Sequence, residues 1–423
     1  MAGTHLVVAA DRNLRFSSPD MRRALFLTTL GLFLAGCGTQ APASPKVPAE
    51  GDAVIVQKVL DGQLDAVSGL TQVAQSSGWP ISTSQGYVFG KLDQGQGPYS
   101  VECPSGAFPK AQLTITNGLA WAIVPVSSPV GAEYRFVTGA GDTSSDALSR
   151  YFAYSGASTL SYVTLTGKHL ERWTGIGDTN LPARTLRVLV PAQPPTHTMY
   201  AHDGQNLFGP SPFGGWGLQD AAGPTTMVVG IDNSPDRIAE YTAVQDVIGS
   251  QTLGGKGLEY ADYVEHTVRP FIQAHYGTTP RVGVMGSSLG GIISCVIKRR
   301  YPASYDFVAS LSGTFGWGSI GTGIHNQTEI QAWAALGSCP AGTFYLDSGG
   351  GPGSGCVDSD GDGIQDDTAD SADNYCETVQ MRDTLIALGC GGRLTYVFVS
   401  GAQHSEPAWR GRSPAIFQLF EGL

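Results

Sequence analysis

The segment around Ser288 has the residue types and spacing of a nucleophilic serine. Gly286 and Gly290 stand two residues before and after Ser288, in a Gly-Ser-Ser-Leu-Gly pentapeptide. The β-branched run at 281–285 predicts a strand, and the amphipathic run at 291–300 predicts a helix. Glycines permit a sharp turn between strand and helix, which would lift the Ser288 hydroxyl clear of the sheet edge. The segment therefore predicts a nucleophile elbow.

A serine hydroxyl needs a base to remove its proton, and His404 is the best placed of the eight histidines. It follows the apolar run at 394–399 and four further residues, close to the C-terminus, which predicts a loop after the last strand. Enzymes with the chain order Ser, acid, His carry their base at that place. His202 and His266 are weaker candidates because both precede the serine.

Length and composition limit the classes of function. The chain has 423 residues, of which 41% are apolar, so it is globular and long enough for two domains. The formal net charge is -11, and the only compact run of basic residues is 298–300. That run is typical of the solvated end of a helix, so the composition argues against a nucleic-acid partner.

Residues 1–37 predict an export signal. Met21 is followed by two arginines and by an apolar core at 24–34, and we expect translation to start at Met21. The core is shorter than the roughly 20 apolar residues that span a bilayer. The sequence Leu-Ala-Gly-Cys ending at Cys37 resembles a bacterial lipoprotein processing site, which implies lipidation of Cys37 and a tether at 38–51. An ordinary cleaved secretory signal is the alternative, and it also exports the protein.

Six cysteines remain if Cys37 carries lipid, and an even number in an oxidising compartment predicts disulfides. They are Cys103, Cys295, Cys339, Cys356, Cys376 and Cys390. Cys356 and Cys376 bracket an acidic loop, so we predict that they pair. The sequence does not choose among the other connectivities, and no spacing suggests zinc.

The pattern along the chain predicts an α/β fold. Residues 52–78 have the apolar spacing of a helix, and regularly spaced short β runs up to about 165 predict a small β-sandwich. From 183 to 423 strands alternate with helices, which predicts a parallel sheet covered on both faces. The predicted strands are 185–190, 198–201, 227–231, 281–285, 307–311, 343–346 and 394–399, with a crossover helix at 258–275 before the elbow strand.

Several motifs together resemble the esterase branch of the α/β-hydrolases, which includes enterochelin esterases, S-formylglutathione hydrolases, feruloyl esterases and mycolyltransferases. The resemblance covers about 185–420. Its motifs are the run 202–208, the Phe-Gly-Gly-Trp at 213–216, the run 229–233, Arg237 with Glu240 and Tyr241, the elbow, and His404 with Trp409 and Arg410. Upstream, 134–137 and 150–154 resemble the immunoglobulin-like domain that often precedes enterochelin-esterase-type catalytic domains.

The resemblance implies a third catalytic residue on the loop after the predicted strand 343–346. A Gly-rich, acidic insertion at 349–372 interrupts that loop. Without the insertion Asp373 falls at the acid position of the family. Asp347, at the strand end, is the alternative, and the remaining candidates are Asp366, Asp367 and Asp370.

The resemblance also implies an oxyanion hole and a pocket. The backbone N–H of Leu289 would provide one hydrogen-bond donor, and that of Gln205 or Gly204 the other. Trp216, Asp232 and Tyr241 would shape the substrate pocket. Trp216 as a core residue and Asp232 as part of a strand-end turn are the alternatives.

The insertion has the spacing of a calcium loop. Asp358, Asp360 and Asp362 occupy positions 1, 3 and 5, and glycine occupies position 6. Ala369 stands where an EF-hand needs a bidentate acid, so the loop resembles the Asp-rich calcium repeats of extracellular proteins, with Asp366 as a later ligand. We expect a structural calcium ion that holds Asp373 and no cofactor in catalysis; a flexible acidic loop is the alternative.

Together these features predict an exported serine esterase acting on a small-molecule or glycan ester through an acyl-enzyme. An acyltransferase with the same catalytic residues, and a surface binding protein with a relict pocket, are the alternatives. The acidic chain disfavours an anionic siderophore ester, although Arg237, Lys256 and Arg410 could supply local positive charge.

Overall fold

The computed structural model describes residues 46–210, 214–321, 325–358, 360–365 and 372–423. The described residues belong to one compact unit. The predicted leader with Cys37, as well as Phe213 and Asp366, lie outside the described residues.

Two helices occupy the region where the sequence predicts one helix over 52–78. They are α1 (Ala53–Leu60) and α2 (Ala66–Gln75). The break follows from local chemistry: Gly62 has a φ of +71°, and the Asp65 side chain caps the second helix by accepting a hydrogen bond from the Ser68 N–H at 2.9 Å. Both helices still bury their apolar faces in one cluster around Trp79.

Antiparallel strands follow, up to residue 176. They are β1 (Ile81–Thr83), β2 (Gly86–Leu92), β3 (Ser100–Glu102), β4 (Ala111–Gln112), β5 (Thr114–Thr116), β6 (Leu119–Val124), β7 (Glu133–Val137), β8 (Thr143–Ser144), β9 (Tyr151–Ser155), β10 (Ser158–Tyr162) and β11 (His169–Ile176). A sheet of order β1-β2-β6-β5 packs through Phe89 and Ala120 against Tyr134 and Phe136 of β7.

The strand alternation from 183 onwards forms a mostly parallel sheet. Its strands are β12 (Arg184–Val190), β13 (His197–His202), β14 (Thr226–Ile231), β17 (Arg281–Ser287), β18 (Phe307–Leu311), β19 (Thr343–Ser348) and β20 (Leu394–Phe398), and a separate hairpin is formed by β15 (Gln245–Ile248) and β16 (Gln251–Gly254). The order is β20-β19-β18-β17-β13-β14-β12, and β12 continues through β11 and β9 into the N-terminal strands. This places all seven predicted strands in one sheet.

Helices cover this sheet. They are α3 (Leu218–Ala221), α4 (Arg237–Tyr241), α5 (Gly257–Tyr263), α6 (Arg269–Tyr276), α7 (Leu289–Arg300), α8 (Glu329–Ala334), α9 (Tyr375–Ala387) and α10 (Glu406–Glu421). The predicted crossover helix forms as α5 and α6, joined by a wider turn at Val264–Val268. Because the parallel strands run in one direction, the loops after β13, β17, β18, β19 and β20 meet at their carboxyl ends.

Candidate active site

The backbone at Ser288 is held in the strained conformation of a nucleophile elbow. Ser288 has φ 56° and ψ -124°, between the end of β17 and the first residue of α7. A Cβ added at Gly286 would lie 2.5 Å from the carbonyl oxygen of Gly290, so this turn requires glycine. The Ser288 N–H donates to Leu311 O at 2.9 Å and ties the elbow to β18. Strain of this kind at a half-buried polar residue is typical of a functional position.

His404 lies on the loop between β20 and α10, and its ring is held by two contacts. Nδ1 lies 2.8 Å from Asp373 Oδ1, and the ring meets that of Trp409 edge-on at 5.0 Å between centroids. An ionised carboxylate only accepts hydrogen bonds, so Nδ1 carries the proton and Nε2 is left as the basic nitrogen. His404 and Ser288 both line one cavity of about 440 Å³.

Asp373 is buried and makes several further contacts beside the one with His404. Its side chain is 1% exposed, and Oδ2 accepts hydrogen bonds from Ser312 Oγ at 2.8 Å and from the Gly349 N–H. Burial would raise the pKa of Asp373, but the hydrogen bonds from His404, Ser312 and Gly349 outweigh it and hold that pKa below its usual value. The residue is therefore kept as a carboxylate facing His404.

Asp347, the alternative acid, is held by other partners. Its carboxylate accepts from the Tyr345 hydroxyl at 2.9 Å and lies 3.1 Å from Arg412 Nη1. Burial raises the pKa of Asp347 to about 7 despite the attraction of Arg412. Of the two acids that the structure describes, Asp373 is the one placed against His404. Asp366, Asp367 and Asp370 lie outside the described residues.

Of the candidate oxyanion-hole residues, Gln205 lines the same cavity, and Leu289 directly follows Ser288 in the chain. Leu289 is the first residue of α7, and the N–H groups in the first turn of a helix have no intrahelical acceptor. Gln205 belongs to a short 3₁₀ turn, Gly204–Asn206, directly after Asp203, whose φ is +60°. The Gln205 side chain lines the cavity and accepts from the Asn233 N–H at 3.2 Å.

The structure brings only one of the three predicted pocket residues to the cavity wall. Trp216 lines the cavity. Asp232 instead pairs with Arg187 through two contacts of 2.7 and 2.8 Å, and Tyr241 is fully buried, its hydroxyl accepting from the Asp203 N–H at 3.2 Å. Asp232 and Tyr241 thus do not line the cavity, because the side chain of Asp232 is turned toward Arg187 and Tyr241 of α4 is buried.

Polar residues that the sequence did not assign to the pocket line it instead. They are Asp203, Asn206, Asn233, Arg237 and Glu406, together with Trp409. Arg237 donates hydrogen bonds from Nε and Nη2 to the Asp203 carboxylate at 2.7 and 2.9 Å. The attraction of Arg237 outweighs the effect of burial and lowers the pKa of Asp203. Asp203, Asn206, Asn233, Arg237 and Trp409 lay within the motifs of the resemblance, whereas Glu406 carried no local signal.

A carboxylate of the acidic insertion accepts hydrogen bonds from the insertion's own backbone. The Asp358 carboxylate accepts from the N–H groups of Gly361 and Gly363 at 2.7 and 2.9 Å. His325 Nδ1 lies 3.3 Å from Asp362 Oδ2 and 3.9 Å from Asp360 Oδ2, and the three side chains could each offer one ligand atom to a cation. The carboxylate oxygens of Asp360 and Asp362 are ligands that fit Ca²⁺, whereas the His325 nitrogen is not.

Two disulfides form among the described cysteines. Cys356 pairs with Cys376, which confirms that prediction, and Cys339 pairs with Cys390. Cys103 and Cys295 are buried free thiols. Disulfides are typical of proteins exported to an oxidising compartment. Among the residues that the structure describes, no helix has the length and apolar character needed to cross a membrane.

Comparison with known proteins gives a family match over more than half of the chain. The model of the family described as Putative esterase matches residues 181–412. The uncharacterized protein YbbA of Bacillus subtilis is 28% identical over 108 residues, which cover 24% of this chain and 43% of that relative.

Solved structures are similar at low sequence identity. An IroE-like serine hydrolase from Shewanella oneidensis has a TM-score of 0.47 at 15% identity, covering 60% of this chain and 80% of that one. An enterochelin esterase from Shigella flexneri has a TM-score of 0.45 at 13% identity, covering 79% and 92%. The siderophore hydrolase EstA from Aspergillus nidulans has a TM-score of 0.42 at 19% identity, covering 59% and 94%.

Proposed function

Since this chain belongs to the Putative esterase family, we propose that it is a carboxylic ester hydrolase, an exported serine esterase with Ser288, His404 and Asp373 as its catalytic triad. The observation that carries the proposal is the position of His404. Its ring borders the cavity that holds Ser288, and its Nδ1 lies 2.8 Å from Asp373.

The mechanism follows from these roles. His404 Nε2 takes the proton of the Ser288 hydroxyl as Oγ attacks the ester carbonyl, and the developing oxyanion accepts hydrogen bonds from the N–H of Leu289 and of Gln205 or Gly204. The tetrahedral intermediate collapses, and His404 gives the proton to the departing alcohol. Water, activated by His404, then attacks the acyl-enzyme and releases the acid. Asp373 keeps His404 in the required tautomer and stabilises the imidazolium.

A fluorophosphonate probe tests the nucleophile directly. We expect stoichiometric phosphonylation of the purified protein at Ser288, identified by peptide mass spectrometry, with loss of ester hydrolysis in proportion to labelling. Ser288→Ala should abolish labelling. Ser294→Ala is the matched control, because Ser294 is a buried serine in α7 whose hydroxyl donates to Gly290 O at 2.7 Å. Labelling of Ser288→Ala at the wild-type level would overturn the proposal.

The cavity wall favours a small, polar ester as substrate. Asn206, Asn233 and Glu406 offer amide and carboxylate groups, which match hydroxyl and amide groups of a ligand. The three basic residues named as possible anion contacts are each paired with a carboxylate: Arg237 with Asp203, Lys256 with Asp236, and Arg410 with Asp220. We therefore place polar, uncharged esters, including acylated glycans, ahead of anionic siderophore esters.

The acidic insertion is proposed to bind one structural Ca²⁺ through Asp358, Asp360 and Asp362, with Asp366 as a later ligand. Asp360 and Asp362 each offer a carboxylate oxygen close to one point, whereas the nearby His325 offers a nitrogen, which Ca²⁺ does not favour. The ion would neutralise the clustered carboxylates and order the loop that leads to Asp373; it takes no part in the chemical steps.

Two roles are proposed for the N-terminal part of the chain: membrane attachment through Cys37, and a further domain built from the first strands. Lipidation at Cys37 would anchor it to a bacterial membrane on the periplasmic or outer side. The strands β1–β10 would form an immunoglobulin-like module, which is supported by their antiparallel pairing and by a core shared between two sheets.

A further inference from the structure

The hydroxyl of Ser312 lies at the centre of a buried network beneath Asp373. Ser312 follows β18, has a φ of +48° and is fully buried. Its Oγ is 2.8 Å from Asp373 Oδ2, 3.1 Å from Trp409 Nε1 and 3.1 Å from Arg412 Nη2. The three partners come from the acidic loop and from two turns of α10.

The chemistry of these partners fixes the direction of every hydrogen bond. The indole of Trp409 and the guanidinium of Arg412 can only donate, so both hydrogen bonds end on the oxygen of Ser312. The one proton of the Ser312 hydroxyl must then point to the carboxylate of Asp373. Hydrogen bonds that converge in this way strengthen one another in a buried site.

Arg412 also bridges two buried carboxylates. Its Nη1 lies 3.1 Å from Asp347 Oδ1 and 3.6 Å from Asp373 Oδ2, and its side chain is 5% exposed. One carboxylate oxygen of Asp373 is thus occupied by Ser312, the Gly349 N–H and the nearby cation, which leaves Oδ1 for His404. The orientation of the acid is determined by contacts that never touch substrate.

We propose that Ser312 and Arg412 are positioning residues, which lock the carboxylate of Asp373 in its orientation toward His404 and keep it ionised. Neither residue lines the cavity that holds Ser288, so both act through Asp373. This inference rests on the proposed function, because it assigns a role only if Asp373 is the acid of the triad.

The effect on pH dependence has a definite sign. The charged groups that face Asp373 are His404, Arg412 and Asp347, and Tyr345 and Tyr396 face Asp347 in turn. Loss of the donor at Ser312 or of the cation at position 412 makes the carboxylate of Asp373 harder to ionise. The acidic limb of the kcat/KM profile should therefore move to higher pH.

The test compares Ser312→Ala, Arg412→Met and Arg412→Lys with two matched controls in the full-length protein. Ser413→Ala removes a buried hydroxyl of α10 that donates to Trp409 O at 3.0 Å. Arg184→Met breaks a buried pair with Glu240 at 2.8 Å, whose arginine side chain is 2% exposed. Stability is measured for each variant, and kinetics are compared well below its melting temperature.

Ser312→Ala should lower kcat by about 10- to 100-fold, as expected for misorientation of a catalytic group, with KM near the wild-type value. Arg412→Lys should restore part of the activity that Arg412→Met loses. Both controls should keep the wild-type kcat and pH profile. If Arg412→Met does not fold, Ser312→Ala decides, since it removes only one oxygen.

A folded Ser312→Ala protein with wild-type kcat and pH profile would overturn the inference, as would equal kinetic losses in Ser413→Ala. Failure of the proposed function looks different: hydrolysis by Ser288→Ala at the wild-type rate would remove the triad itself. Loss of activity in Ser288→Ala combined with an unaffected Ser312→Ala would reject the positioning role alone.

Discussion

The disulfide between Cys356 and Cys376 closes the acidic insertion three residues after Asp373. Cys376 lies in the first turn of α9, and Asp373 precedes that helix with a φ of +57°. The covalent link therefore ties the middle of the insertion to the start of α9, close to the candidate acid. Loop 401–402 adds a second restraint, because Gly350 donates to Ala402 O at 2.7 Å.

Removing this disulfide should reduce both stability and activity. Cross-linking residues 20 positions apart stabilises a protein by about 3 kcal/mol in the chain-entropy model. We expect a loss of this order for Cys356→Ser with Cys376→Ser in chemical denaturation, and a lower kcat in the folded protein because Asp373 is less restrained.

The control is the pair Cys339→Ser with Cys390→Ser. This disulfide joins the segment before β19 to the segment after α9, with a separation of 51 residues. Its loss should lower stability but leave kcat of the folded protein unchanged. Equal kinetic effects of the two double variants would argue against a specific role of the Cys356–Cys376 link.

The triad should behave as one unit. Ser288→Ala and His404→Ala should each lower kcat by on the order of 10⁴ to 10⁶, and the double variant should be little worse than either one. Asp373→Asn should cost about 10⁴ in kcat, because an amide favours the wrong tautomer of His404. Steady-state kinetics with a p-nitrophenyl ester measure all four; additive losses in the double variant would mean that Ser288 and His404 serve separate steps.

The sequence was sufficient for the parts of the fold that depend on local patterns. The strand at Arg281–Ser287 and the helix at Leu289–Arg300 follow from a β-branched run, flanking glycines and an amphipathic period. The helix break near Gly62 was not predicted, because the apolar spacing continues through it and only the Asp65 cap marks the new start.

Contacts between residues that meet only through tertiary packing could not be predicted from the sequence pattern. Ser312 and Glu406 have no distinguishing neighbours, yet the strand order brings the loop after β18 and the start of α10 to the same edge of the sheet. Asp232 was predicted for the pocket, but its side chain is turned toward Arg187, a pairing that depends on the register of β12 and β14.

Protonation of Asp347 should make the stability of the folded protein depend on pH. Burial raises its pKa to about 7, whereas an unfolded aspartate has a pKa of about 3.9. The native state therefore holds a proton that the unfolded state has lost, so this contribution to stability is complete below about pH 4 and disappears as pH rises to about 7. As pH rises across this range, the melting temperature of the wild type should fall relative to that of Asp347→Asn. Parallel curves of melting temperature against pH would contradict the prediction.

Membrane attachment should depend on one thiol. If Cys37 is acylated, Cys37→Ser should move the protein from the membrane fraction to the soluble fraction in its bacterial host, and mass spectrometry should find the lipid only on the wild type. Cys103→Ser is the control and should remain attached, because Cys103 is a buried thiol of the β region. Unchanged partitioning of Cys37→Ser would reject the lipoprotein prediction.

Calcium should stabilise the protein through the acidic insertion. A ligand that binds only the native state adds about 2.7 kcal/mol at a hundredfold excess over its Kd, so chelation should lower both the melting temperature and the rate of ester hydrolysis. Asp360→Ala should reproduce the chelated state and no longer respond to added calcium. Asp61→Ala is the control, because Asp61 follows α1 in the N-terminal region, where it accepts a hydrogen bond from Gln57 at 2.9 Å, and its variant should keep the full calcium response. Asp373→Asn should separate the two roles, since it should retain calcium-dependent melting while losing most of its activity. A melting temperature that chelator does not change would leave the insertion as an acidic surface loop and would remove calcium from the explanation of how Asp373 is held.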